Sequence, residues 1–241
     1  MFPRPGERRE NVKETVDEAR GSQRREPLTR ERVVEAALRV MDAGGLEAVT
    51  MRRIGRELGV EAMSLYNHVR DKEDLLDAVT EMVMGKFQIP DPTGDWVVDA
   101  KAMAREWRRL LRMHPNVMRL LAERHKPLES MDSFRPMEAA LEVLGQLDLP
   151  PRDAAQAFNA FGSYIMGFVL MEQGLMLGGE PEGEAAHRLA HERVAQTLRE
   201  AGLRRLLEAL PYLADCPTDD QFEFGLDLLI RGLQARARSP G

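Results

Sequence analysis

An all-α chain is predicted by three observations. Apolar residues recur at helical spacing along most of the chain, no strand-type alternation runs beyond a few residues, and the breaks between periodic segments fall at Gly and Pro. The expected architecture is an N-terminal three-helix helix-turn-helix domain followed by a larger helical domain. At 241 residues the chain has room for a small module joined to a larger one. Its hydrophobic fraction of 43% is ordinary, its aromatic fraction of 5% is low, and fourteen Met point to an adaptable interior.

Residues 1–27 are polar, of mixed charge and without apolar periodicity, and are expected to form a disordered arm. LTRERVVEAALRVMDAGG then reads as a helix, with Thr29 as its N-cap, Val33, Ala37 and Val40 as its stripe, and Gly44-Gly45 as its stop. A second helix starts after Thr50, another N-cap, and places Met51, Ile54 and Leu58 on one side. Gly59 falls where a helix end tolerates positive φ. A third helix, roughly 62–68, turns Leu65 and Val69 inward, and Asp71 caps a longer one reaching Phe87 through Leu75, Leu76, Val79 and Val83.

The segment IPDPTGD, residues 89–95, breaks the pattern. The organisation read from these signals is a helix-turn-helix domain over 28–75 and a helical effector-binding and dimerisation domain over 76–241, with 71–87 as the linking helix. Further helices are expected near 95–113, 115–124, 132–147, 151–177, 184–210 and 218–236, with no internal repeat.

The single Cys216 excludes an intramolecular disulfide and fits a reducing compartment. No apolar run approaches the ~18–20 residues of a membrane span, and the N-terminus lacks the apolar stretch of a secretory signal. A cytoplasmic protein without a membrane partner is expected. The net charge of −6 argues at first against nucleic acid, but its distribution matters more. Lys and Arg against Asp and Glu stand at seven to six in 1–27, eight to nine in 28–75 and nineteen to twenty-five beyond. Arg52, Arg53 and Arg56, and again Arg70 and Lys72, cluster locally, so a small basic face sits on an acidic body.

Two short helices joined by a Gly-containing turn are a helix-turn-helix signal. The second helix must offer side chains to base edges in the major groove while the first braces it against phosphates. Ile54, Leu58, Val60, Leu65 and Val69 would form the small core, which leaves Met63, Ser64, Tyr66, Asn67 and His68 outward. Ser, Asn and His hydrogen-bond bases or phosphates, the Tyr hydroxyl reaches a phosphate, and Met can meet a thymine methyl. Thr50 and Arg52 can hold the backbone of the opposite strand. Taken alone, Tyr66 would serve packing as readily as DNA.

The order T-M-R-R-I-G-x-x-L-G-V-x-x-x-S-L-Y-x-H-V-x-D-K-x-x-L-L, residues 50–76, resembles the DNA-binding domain of the tetracycline-repressor (TetR) family. Leu-Tyr-x-His-Val at 65–69 and Leu75-Leu76-Asp77-Ala78 resemble the tetracycline-repressor branch in particular. AFNAFGSYIMGFVLMEQ (157–173) and FEFGLDLLIRGL (222–233) are similar to that branch's two dimer-forming helices. The resemblance implies a homodimeric repressor released from a pseudo-palindromic double-stranded operator by a small molecule, although the residues alone do not decide repressor against activator. It places DNA contacts at Thr50, Arg52, Ala62, Met63, Ser64, Tyr66, Asn67, His68 and Lys72. Ala62, Met63 and Asn67 depart from the tetracycline repressors, so a different operator is expected.

The same likeness places an effector at Gln88, Met103, Trp107, Leu121 and Arg124, to which Phe161 and Met166 add apolar surface. Leu121 stands where a histidine would coordinate magnesium, so the expected effector is unknown, mainly apolar or aromatic, and not tetracycline–magnesium. Helices 151–177 and 218–236 are apolar on more than one side. A dimer interface through Phe158, Ile165, Gly167, Phe168, Leu226, Leu229, Ile230 and Leu233 would explain this, as would the central helix of a monomeric bundle. His187 and His191, spaced i, i+4, read as a solvated helix face, and no metal or other cofactor is expected. The arm with Arg20, Arg24 and Arg25 reads either as a minor-groove contact or as a solvated tail. No G-x-S-x-G, phosphate loop, H-E-x-x-H or Rossmann glycine pattern occurs, so no enzyme is expected. The competing function is a helical interaction protein whose helix-turn-helix no longer reads DNA.

Overall fold

The computed structural model describes residues 27–123, 130–173, 184–214 and 217–238, and no strand occurs among them. The first group of helices is α1 (Arg30–Gly44), a 3-10 turn (Leu46–Ala48), α2 (Met51–Leu58), α3 (Ala62–Leu65) and α4 (Lys72–Met84). Side chains start three of them. The Thr29 hydroxyl accepts from the Arg32 amide at 3.3 Å, the Thr50 hydroxyl from Arg53 at 3.2 Å, and the Asp71 carboxylate from Asp74 at 2.8 Å. Gly45 and Gly59 end α1 and α2 at φ 77° and 67°.

Gly55 has a different task. A Cβ there would lie 2.9 Å from the carbonyl oxygen of Val60 and 3.2 Å from the amide nitrogen of Ala62. The backbone entering α3 therefore crosses α2 at a distance only glycine allows, and this fixes the angle of the helix-turn-helix. The expected helix over 62–68 is α-helical only through Leu65. Beyond it the amides of Tyr66, Asn67 and His68 donate to the carbonyls of Met63, Ser64 and Leu65, the tighter i→i−3 pattern of a 3-10 ending. Leu65 and Val69 still reach the core.

That first core gathers Val33, Ala37, Val40 and Met41 of α1, Ile54, Leu65, and Leu75, Val79 and Val83 of α4. It also includes Leu110 and Val117 from the next helices, so the N-terminal helices are sealed by the larger half of the chain. The larger half contributes α5 (Trp96–Met113), α6 (Pro115–Glu123), α7 (Met131–Gly145), α8 (Pro151–Glu172), α9 (Glu184–Glu200), α10 (Arg204–Ala214) and α11 (Asp219–Ala237). The connection into α5 is pinned where the Thr93 amide and hydroxyl both donate to Asp99, at 2.8 and 2.6 Å. A single helix over 184–210 is not what forms. Gly202 adopts φ 68°, the Leu203 amide bonds back to the Leu198 carbonyl at 2.9 Å, and the chain turns into α10.

A second core joins Ala104, Leu111 and Met118 to Ile165, Phe168 and Val169 of α8 and to Phe222 and Leu226 of α11. Of the residues expected at a dimer face, Ile165, Phe168, Leu226 and Ile230 are 4, 8, 0 and 3% exposed within one chain, the first three covered by its own second core. Gly167, Leu229 and Leu233 are half-buried. The outward stripe of α11 is carried instead by Phe224 and Leu228, which are 66 and 55% exposed. By length and composition α8 could also span a bilayer, contrary to the expectation that no stretch approaches that limit. Its place between α5, α7 and α11 accounts for part of that apolar character as core packing.

Arg108 ties the second core together. It is 8% exposed and lies 4.4 Å from the Phe222 ring centre and 5.2 Å from that of Phe168. Its guanidinium pairs with Glu172 of α8 and donates to Asp219 of α11 at 2.7 Å. Removing it would leave the nearly buried Glu172 with Arg112, 3.8 Å away, as its remaining cation among the described residues. Arg108→Ala is expected to destabilise the fold by about 3 kcal/mol, read by urea unfolding, with Glu172→Gln costing less because no charge is stranded.

Candidate nucleic-acid interface and effector cavity

The face built by α2 and α3 follows from which residues the first core takes. Leu65 is fully buried, whereas Met63 is 72% and Tyr66 45% exposed. Arg52, Asn67 and Lys72 are exposed, and Ala62, Ser64 and His68 are half-buried at the edges of the same surface. Tyr66 therefore stands outward rather than serving the core. Thr50 is exposed while its hydroxyl oxygen caps α2, which leaves the hydroxyl proton free for a phosphate. With Arg53 and Arg56 also exposed, the surface offers hydroxyls, an amide, an imidazole, a thioether and several cations on one short helical platform. Such a platform suits major-groove reading and phosphate anchoring.

A cavity of about 390 Å³ opens in the larger half. Met84 and Phe87, at the end of α4 and just beyond it, form part of its wall. Met103 and Trp107 of α5, Leu121 of α6 and Met137 of α7 continue it, and Phe158, Phe161 and Met166 line it from α8. Phe87 and Trp107 lie with ring centres 6.0 Å apart. Among the described residues the lining carries no charge, and Asn159 and Ser163 supply its polar side-chain groups besides the Trp107 indole.

Five of the expected effector residues thus come together: Met103, Trp107, Leu121, Phe161 and Met166. Gln88 does not join them. It is exposed, and its backbone N–H donates to the Glu106 carboxylate at 2.8 Å. Arg124 lies outside the described residues, as do Arg20, Arg24, Arg25, Cys216 and the side chain of His187. Phe158, expected at a dimer face, lines the cavity. Its spacing of three and eight residues from Phe161 and Met166 already places the three on one helical face. The parts played by Met84 and Phe87 had no such local signal, because they depend on how α4 packs.

A second short helix also spans the two halves. At the start of α6 the His114 Nδ1 lies 3.2 Å from the Asp42 carboxylate of α1, and the Asn116 amide group donates to the Met41 carbonyl at 3.0 Å. One or two turns further on, Leu121 faces the cavity. Both α4 and α6 therefore touch the cavity at one end and the helix-turn-helix half at the other.

A helix-turn-helix surface joined by two helices to an internal apolar cavity defines a ligand-responsive DNA-binding transcriptional regulator. Residues 33–79 match the family described as bacterial regulatory proteins, tetR family, and residues 89–237 match the tetracyclin repressor-like C-terminal domain. The HTH-type transcriptional repressor DrrR1 of Streptomyces coeruleorubidus is 30% identical over 86% of this chain and 77% of its own length. The class C tetracycline repressor protein of Escherichia coli is 30% identical over 86% of this chain and 91% of its own. ActR of Streptomyces coelicolor, solved in complex with actinorhodin, superposes with a TM-score of 0.76 at 29% identity, covering 89% of this chain and all of that one. The chain belongs to the TetR family, and its class is that of ligand-responsive transcriptional repressors.

Proposed function

We propose that the chain acts as a homodimer that holds a pseudo-palindromic operator and releases it when an uncharged, mainly aromatic molecule enters the cavity. The observation that carries this reading is the shared helix α4, which begins beside the recognition helix and ends in the cavity wall. An effector that fits the cavity only when α4 is displaced lowers operator affinity by its preference for that arrangement. Operator contact is assigned to Thr50, Arg52, Ala62, Met63, Ser64, Tyr66, Asn67, His68 and Lys72. Met63, exposed and apolar, would read a thymine methyl, while Tyr66 and Lys72 would anchor phosphates.

The effector class follows from the lining. Four methionines and four aromatic rings offer polarizable, adaptable contacts, and Asn159 or Ser163 can orient one polar group. The complex of ActR with actinorhodin supports a small organic effector for this chain. Leu121 in the wall, with no carboxylate or imidazole in the described lining, speaks against tetracycline–magnesium. Pairing through the exposed Phe224 and Leu228 of α11, with the outer face of α8 beside them, would set two recognition helices one DNA turn, ~34–36 Å, apart.

The direct test is selection of duplexes from a random-sequence pool by the purified protein, followed by fluorescence anisotropy. Tyr66→Ala or Lys72→Ala is expected to weaken binding of the selected duplex on the order of tenfold while the dimer persists. Unchanged binding by both would refute the proposed contacts. Failure to enrich any duplex would favour a helical interaction protein instead. Leu228→Asp should shift the protein to a monomer in analytical ultracentrifugation, and an unchanged dimer would move the interface elsewhere. An effector should quench the emission of Trp107 and release the duplex, and Phe161→Arg, which puts an unpaired cation into the cavity, should abolish both responses.

A further inference from the structure

Behind the recognition surface, Arg30 at the start of α1 reaches 44 residues along the sequence. Its Nη1 and Nη2 donate to the two carboxylate oxygens of Asp74 at 3.1 and 3.0 Å, and Nη1 also donates to the backbone carbonyl of His68 at 2.9 Å. Asp74 accepts from the Arg70 amide at 2.9 Å, while its own amide is held by the Asp71 side chain. One guanidinium and one carboxylate thus fasten the last turn of the recognition helix, the corner at 70–71 and the first turn of α4 to the start of α1. The Asp74 side chain is only 11% exposed, whereas those of Arg30 and Arg70 are 43 and 82% exposed. Hydrogen bonding from Arg30 holds its carboxyl far below the usual carboxylate range, so the clamp stays charged at any pH at which DNA is read.

We propose that Arg30 and Asp74 are positioning residues for operator reading, which act by fixing the pitch of the recognition helix between α1 and α4 rather than by touching DNA. The inference rests on the DNA-binding reading above. A bidentate fork has a fixed geometry that an ammonium cannot reproduce, and neither residue can keep the His68 carbonyl and the Arg70 amide in register without the other. Base contacts tolerate only small displacements of the side chains that make them, whereas non-specific attraction to phosphates tolerates large ones.

Electrostatics alone and positioning predict opposite signs for one variant. Asp74→Asn removes a negative charge beside the DNA-binding surface, which by charge alone would tighten binding. Positioning requires it to weaken. Wild type, Asp74→Asn and Arg30→Lys, all full-length, would be titrated against a duplex that the wild type enriches from a random pool and against its scrambled sequence, over a range of salt. Each variant is expected to lose on the order of tenfold for the enriched duplex, with no loss for the scrambled one and an unchanged salt slope. A purely structural role would lower the active fraction and weaken both duplexes in parallel, so the ratio between them is the deciding readout. The proposal is overturned if Asp74→Asn binds as tightly as wild type or tighter, if both duplexes weaken together, or if Arg30→Lys keeps wild-type affinity. It is overturned equally if Arg30→Ala lowers the salt slope by about one, the signature of a lost phosphate contact. If the wild type enriches no duplex, the DNA-binding reading itself fails, an outcome distinct from all of these.

Discussion

The thirteen residues of α4 belong to two environments at once. Leu75, Val79 and Val83 are packed in the core beneath the recognition helix, and Met84 with nearby Phe87 stands in the wall of the cavity. A helix of that length is about 20 Å long and stiff, so its two ends cannot move independently. Displacing Met84 by an ångström or so must tilt the helix, strain the core around Leu75, or do both. Because close-packed cores resist continuous deformation, the tilt is the softer response. Couplings between sites in proteins are typically about 1–3 kcal/mol. The pins of α6 on Asp42 and Met41 give the same cavity a second bearing on α1.

The larger half solves a packing problem that its sequence states only indirectly. α8 has one side in the second core, one side on the cavity and a third facing out, and this accounts for an apolar circumference that a single buried stripe would not need. Arg108 closes the far end of that arrangement. Its charge is shared among two aromatic faces and two carboxylates, so a cation sits almost out of solvent without being stranded. α8 and α11 are thereby held in one relation, and the stripe of Phe224 and Leu228 is presented on a firm support.

Much of this was legible in the sequence because its causes are local. Thr29, Thr50 and Asp71 announce helix starts by chemistry that acts within three residues, and Gly45 and Gly59 announce ends through positive φ. The outward set from Met63 to His68 follows from knowing that Leu65 and Val69 point inward. What stayed hidden depends on distant partners. Arg30 meets Asp74 across 44 residues, Arg108 meets Glu172 across 64, and Asp42 meets His114 across 72, with nothing in any one segment to announce the other. The side that would face a twin is hard to read from sequence for a related reason. Periodicity marks a residue such as Ile165 or Leu226 as buried, but it does not say whether its own chain or a second one covers it. Gly202 was passed over because an isolated glycine in a periodic stretch is compatible with either a continuing helix or its end.

The division of the cavity wall has a consequence for how such a protein diversifies. Most of the lining comes from α5, α7 and α8, and none of the residues assigned to DNA contact takes part in it. With the effector in this cavity, as proposed, a substitution at Met137, Phe158 or Met166 would alter which compound is accepted and leave the proposed operator surface intact. Methionine eases that drift, since an unbranched thioether can refill space that a neighbouring change has opened or closed. Two duplicated copies could therefore answer to different chemicals from the same stretch of DNA within a few substitutions, whereas acquiring a new operator would require changes in a separate set of residues.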